Sequence, residues 1–200
     1  QTVDFLKEVV GKPATLAGNS LGGFTSLYAA ATDEVKDMVN GVILMNGAGR
    51  FRDPEAEEPK EPNEFVKSIQ TAIQKFIIGA SFVITKQPAR IGQVLKQVYP
   101  IDNKNVDEEL VESIRYPSDH PNAAEVFYRV ITKNNRGPSV YIDDLLENLE
   151  CPLLLCWGEY DPWIRPQAAD KVQALYPKAI RASIDAGHCP HDENPRAVNP

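Results

Sequence analysis

Three continuous apolar runs constrain this chain most: Ala14-Thr15-Leu16-Ala17, Gly41-Val42-Ile43-Leu44-Met45-Asn46 and Pro152-Leu153-Leu154-Leu155-Cys156-Trp157, with a weaker fourth from Ala179 to Ile184. None alternates apolar with polar residues, so each reads as a strand covered on both faces, the signature of a parallel sheet. Helical segments stand between and before them. Val3, Phe5, Leu6, Val9 and Val10 form a stripe stopped by Gly11-Lys12-Pro13, and Leu21 to Ala31 is a run rich in Ala and Leu. The expectation is an α/β chain built on a mostly parallel sheet.

Between the second and third runs, residues 51–149 carry no strand signal. Phe65, Ile69, Ala72, Ile73, Phe76, Ile77, Ala80 and Val83 keep helical spacing, and shorter helices are expected around Ile91 to Val98, Val106 to Ile114 and Ala123 to Thr132. A structureless loop of that size is implausible inside a compact domain, so residues 51–149 read as a helical cap inserted into a core made of 1–50 and 150–200. The stripe Phe65, Ile69, Ile73 and Phe76 then covers either the sheet or a pocket mouth, and Phe76 is the member expected to be packed. The chain starts at Gln1 without a Met and stops just after Asn194-Pro195-Arg196, where a helix begins. The chain is therefore expected to be a fragment of a longer one.

With 200 residues, 42% of them hydrophobic and 24% charged, the chain has the size and composition of one globular domain. Its formal charge is -7, from 28 acidic and 21 basic residues. Asp53, Glu55, Glu57, Glu58, Glu61 and Glu64 against Lys60 supply -5 of this, which leaves -2 for all the rest. That charge sits with Pro54, Pro59 and Pro62 and reads as a solvated irregular loop, and the balanced remainder offers no basic footprint for a nucleic acid. Three cysteines, Cys151, Cys156 and Cys189, cannot all pair, which fits a reducing compartment. Cys151 and Cys156 lie an odd number of residues apart on a strand, which turns them to opposite sides and argues against zinc. The most apolar run, Phe76 to Ile84, is far shorter than the roughly 20 residues that span a bilayer, so no integral membrane segment is expected. Nothing in the sequence fixes an oligomeric state.

Gly18-Asn19-Ser20-Leu21-Gly22 fits G-x-S-x-G and falls between an expected strand and an expected helix. A turn that sharp needs small residues around the serine, and it thrusts the hydroxyl out at the positive end of the following helix. A serine hydroxyl is a weak nucleophile without a base that is itself oriented by a carboxylate. Asp161 follows the third run and His188 the fourth, giving the order Ser20, Asp161, His188 along the chain. His191 is the competing base and Glu159 the competing acid; His191, beside Asp192 and Glu193, reads instead as part of a terminal helix. Cys189 adjoins His188, and neighbours in sequence rarely aim at one another. His120 has no distinguishing context.

The elbow Gly18-Asn19-Ser20-Leu21-Gly22-Gly23, the stretch Gly158-Glu159-Tyr160-Asp161-Pro162-Trp163-Ile164-Arg165-Pro166 and the stretch Gly187-His188-Cys189-Pro190-His191-Asp192-Glu193 together resemble the serine α/β-hydrolases of plants, algae and cyanobacteria, a group with chloroplast members related to pheophytinase. Ala124-Glu125-Val126-Phe127-Tyr128-Arg129 resembles a lid segment of that group. The resemblance implies an α/β-hydrolase fold, of which this chain would be the C-terminal portion without the N-terminal strands and the last helix, and a Ser20–His188–Asp161 triad. It also implies an oxyanion hole with one donor at the Leu21 amide and a second on a loop outside this chain, and hence an intact protein that is active where these residues alone are not. It further implies hydrolysis of a carboxylic ester or related acyl bond through an acyl-enzyme, and a chloroplast location, and it calls for no metal, nucleotide or flavin cofactor; the aromatic and aliphatic residues of the insertion suggest a small hydrophobic substrate. A carbon–carbon bond hydrolase with the same triad and a non-enzymatic small-molecule receptor remain open. A dehalogenase or epoxide hydrolase would carry Asp in place of Ser20.

Overall fold

The computed structural model describes residues 1–53, 64–132 and 140–199, and of residues 64–70 the backbone only. The acidic, Pro-rich stretch and the side chains of Phe65 and Ile69 thus lie outside the described residues. The chain divides into two compact units, one comprising Gln1–Arg52, Gln97–Asn105 and Val140–Pro200, the other Asp53–Lys96 and Val106–Ser139.

The first unit is built on four parallel strands, β1 (Ala14–Asn19), β2 (Val39–Met45), β3 (Leu153–Gly158) and β4 (Ile180–Ile184), side by side in chain order. Alternation along each strand sends Val42, Leu44, Leu153, Leu155 and Trp157 to one face, where they form the main core with Leu6, Leu27 and Leu145. Ile43, Met45 and Cys156 point the other way and meet Ile184 and Ala186 in a smaller cluster. Continuous apolar runs are the result, although β1 at the sheet edge leaves Thr15 and Ala17 exposed.

Helix α1 (Thr2–Phe5) runs on into a wider π turn over Leu6–Val10, closed by Gly11 in the left-handed region at φ 59°. Helix α2 (Leu21–Ala30) opens directly after β1 and packs against β1 and β2. The second unit contains α3 (Glu64–Thr85), most of α4 (Pro88–Val98), α5 (Glu108–Arg115) and α6 (Ala123–Thr132). Its division from the first unit does not follow the expected bounds 51 and 149. Gln97–Asn105 returns to the first unit, and so does α7 (Ile142–Glu147), whose Ile142, Leu145 and Leu146 enter the main core. Phe76, expected to be packed, is 79% exposed, because the described inner face of α3 is turned so that Phe82 meets Phe127 of α6 at 5.2 Å between ring centres. The chain ends with α8 (Gln167–Leu175) between β3 and β4 and two single turns, α9 (Pro190–Glu193) and α10 (Pro195–Val198).

Candidate active site

Ser20 occupies the one residue between β1 and α2, at φ 55° and ψ -120°, a conformation that costs a non-glycine residue of order 1–3 kcal/mol. The backbone on both sides of the serine holds it there. Its N–H donates to Met45 O (3.1 Å), and its carbonyl accepts from Phe24 N (3.2 Å) and Ala48 N (2.9 Å). Crossing of strand and helix is closest at Gly18, where a Cβ would lie 2.2 Å from the Gly22 backbone, and at Gly23, where it would lie 3.0 Å from Gly18 O. A Cβ on Gly22 would meet nothing within 4 Å, so the second glycine of G-x-S-x-G is not the one the turn requires; Gly23 is. Leu21 is the first residue of α2, and its N–H is among those that an α-helix leaves without an internal acceptor.

Asp161 lies in the turn after β3, 3% exposed, with all its acceptor capacity directed. Oδ1 accepts from Trp163 N (2.7 Å) and Ile164 N (3.0 Å), while Oδ2 accepts from Asn46 Nδ2 (2.8 Å) and faces His188 Nδ1 at 2.7 Å. Burial alone would push this carboxyl up, but the bonds from His188, Ile164 and Trp163 outweigh it and hold the group below the ordinary carboxylate range. Trp157 Nε1 donates to Ile164 O (3.0 Å), which ties the turn to the core.

His188 follows β4, on the far edge of the sheet from β1, yet the loop carrying it doubles back. Asn19 Nδ2 donates to His188 O (2.7 Å) and to Met45 O (2.9 Å), bringing the histidine backbone to the residue next to Ser20. His188 N donates to Val98 O (3.0 Å), and Gly187 passes so near Val98 and Pro100 that a Cβ there would lie 2.4 Å from both. The buried Glu193 carboxylate locks the same loop, accepting from Gly187 N (2.5 Å), Ile101 N (2.7 Å) and Asp102 N (3.0 Å). Trp163 covers one side of the imidazole, its ring centre 5.0 Å away, and is itself 58% exposed. Among the described residues no hydrogen bond joins Ser20 Oγ to His188; contacts between a nucleophile and its base often tighten only with substrate bound.

The competing residues do not join the Asp161–His188 pair. Glu159 Oε1 accepts from Arg181 Nη2 (2.7 Å), and His191 sits exposed on α9. Exposed His120 accepts from Asn122 N through Nδ1, and Cys189 Sγ lies 3.9 Å from Asn19 Oδ1 with its thiol pushed up by burial. Four features escaped the sequence reading: Asn46, Asn19, Glu193 and the Gln97–Asn105 strap. Asn19 stood inside the motif and Asn46 at a strand end, but only the fold shows what each faces.

A buried Asp–His pair, with the histidine loop stapled beside a strained serine turn at the C-terminal edge of a parallel sheet, is an arrangement suited to acyl transfer. Comparison with known proteins agrees with that architecture. The profile of the alpha/beta hydrolase family matches residues 1–200. The chain is 34% identical to "Pheophytinase, chloroplastic" of Arabidopsis thaliana over 98% of its own length and 41% of that protein's. Among solved structures, a meta-cleavage product hydrolase of Pseudomonas fluorescens superposes with a TM-score of 0.68 at 18% identity, covering 99% of this chain and 66% of that one. An esterase of Thermogutta terrifontis superposes with a TM-score of 0.61 at 22% identity, covering 94% and 62%. The chain thus spans less than two thirds of each of these proteins, while the shared fold and the profile match run through its whole length. It has the α/β-hydrolase fold and belongs to the alpha/beta hydrolase family.

Proposed function

We propose that the protein of which these residues form the matched portion is a serine hydrolase cleaving a carboxylic ester of a small hydrophobic substrate through Ser20, His188 and Asp161. The observation that carries this reading is the 2.7 Å approach of His188 Nδ1 to the fully coordinated Asp161 carboxylate, on a loop bonded to the residue beside Ser20. His188 takes the Ser20 proton at Nε2 as Oγ attacks the ester carbonyl, and Asp161 stabilises the imidazolium. The Leu21 N–H supports the oxyanion, a role that needs a second donor. Collapse of the tetrahedral adduct releases the alcohol with the proton from His188. Water activated by the same histidine then frees the acid and restores Ser20.

An apolar substrate is supported by the second unit's own cavity of about 830 Å³, walled by Phe82, Phe127, Val126 and Val130, which on this reading belongs to a cap. The chloroplast is the proposed compartment, on the strength of the 34% identical chloroplastic relative. Ser20→Ala in the whole protein is expected to abolish fluorophosphonate labelling and to lower p-nitrophenyl ester turnover by roughly three orders of magnitude. Turnover near the original level would remove Ser20 from the mechanism. Turnover of a vinylogous diketone with no ester activity would assign the same triad to carbon–carbon cleavage, and labelling without turnover of either would assign a receptor.

A further inference from the structure

Asn46 has a place at the site that the serine-hydrolase reading does not by itself require. It follows β2 at φ 46°, in the left-handed region, and is completely buried. Both ends of its amide are committed. Oδ1 accepts from Gly158 N (2.8 Å), and Nδ2 donates to Asp161 Oδ2 (2.8 Å) and more distantly to Gly158 O (3.3 Å). The Gly158 N–H demands an acceptor and so fixes which way the amide points: the NH₂ must face the carboxylate. The oxygen it meets, Oδ2, is also the one that faces His188 Nδ1.

We propose that Asn46 is a positioning residue for the triad, which orients the Asp161 carboxylate toward His188 and, by supplying a neutral donor to the shared oxygen, sets how strongly that carboxylate holds an imidazolium. The proposal rests on the triad reading above. Among the described residues three donors, Asn46 Nδ2 and the Trp163 and Ile164 N–H groups, bond to Asp161 besides the imidazole, so the carboxylate cannot rotate without breaking a bond. Each donor also draws charge from the oxygens, and only that of Asn46 acts on the oxygen His188 uses.

The chemistry gives an order that a purely structural role would not. Asn46→Ala removes one donor and leaves Asp161 a stronger partner for protonated His188. Asn46→Asp keeps the shape and the bond from Gly158 N but sets a second carboxylate about 2.8 Å from Asp161. Two carboxylates that close hold one proton between them, and the neighbouring imidazole competes for it; with the proton on His188 both carboxylates are ionised and the base is blocked. Among the described residues, the other titratable groups around the pair are Cys189, His191, Asp192 and Glu193 on the His188 loop and α9, and Tyr99 on the strap; all stay the same in these variants.

The test measures kcat/KM for p-nitrophenyl butyrate against pH in the whole protein, normalised to the sites titrated by a fluorophosphonate. The acid limb is expected to move to higher pH by roughly half a unit in Asn46→Ala and by at least about one unit in Asn46→Asp, a ten-fold loss per unit at any fixed pH on that limb. The isosteric Asn46→Asp keeps the test valid where Asn46→Ala fails to fold. Labelling that depends on Ser20, with an acid limb identical in wild type and Asn46→Asp, overturns the positioning role and leaves Asn46 as a tie between β2 and β3. Labelling that survives Ser20→Ala overturns the triad reading and this proposal with it.

Discussion

At the scale of single residues, the serine turn separates glycines that look alike in sequence. Gly18 and Gly22 are the two ends of one motif, yet a methyl group fits only at Gly22. Gly22→Ala is expected to leave the melting temperature unchanged or raise it, by up to about 1 kcal/mol of helix propensity. Gly18→Ala is expected to prevent the turn from closing, seen as loss of soluble folded protein; a normally melting Gly18→Ala would show that β1 and α2 separate more easily than their contact implies. Asp161 yields a prediction in pH. Its carboxyl is held below the ordinary range in the folded state, so between that value and the unfolded value near 3.9 the unfolded chain binds more protons. The stability this contributes is fully present above about pH 5 and falls as pH drops through the folded value. Asp161→Asn removes this dependence, so urea midpoints compared at about pH 5 and about pH 3 should fall less steeply in the variant than in wild type. An identical slope in both would show that other carboxylates govern acid unfolding.

At the scale of elements, α9 acts as a clasp although it is a single turn. Glu193 gathers N–H groups from the His188 loop and from the 97–105 strap onto one buried carboxylate. Glu193→Gln keeps the volume but offers one accepting oxygen in place of two, leaving at least one buried N–H unpaired at a cost of about 1–3 kcal/mol. The expected result is a melting temperature lower by several degrees and slower fluorophosphonate labelling, because Gly187 and the strap then separate. A lowered melting point with labelling unchanged would restrict Glu193 to stability. The neighbouring Tyr99 hydroxyl, bonded to Asp192 Oδ2 at 2.7 Å, is held protonated chiefly by burial, so it acts as a donor throughout the working range.

At the scale of the whole molecule, the two units differ in how they use their apolar side chains. The first unit holds the two core clusters described above, while the second buries Ile91, Leu95 and Tyr128 but leaves Ile73, Phe76, Ile77, Val126 and Val130 largely exposed. Val126, 58% exposed on the wall of the second unit's cavity, tests whether that unit selects substrate. Val126→Asn is expected to change stability by less than about 0.5 kcal/mol, as surface substitutions do, while lowering turnover of decanoate esters several-fold more than that of acetate esters. Equal losses on both esters alongside a lowered melting temperature would return Val126 to a packing role.

Strand positions, the strand–turn–helix around Ser20 and the chain order of Ser20, Asp161 and His188 were legible in the residues, because runs of Val, Ile and Leu and a glycine-flanked turn act locally. Helix α6 matched its expected limits for the same reason, since its apolar spacing alone is sufficient. Local pattern did not reveal that residues 97–105 part from the helices on either side of them to hold the His188 loop, or that α7 joins the core, since both depend on partners distant in the chain. Nor could it tell Asn46 from any other polar residue at a strand end. Parallel pairing of β2 with β3 brings Asn46 to Gly158 and Asp161 across 112 and 115 residues of chain. The sequence by itself determined which groups are available for chemistry; the tertiary structure decided which oxygen faces which proton, because hydrogen-bond direction depends on neighbours that only the closed sheet brings together.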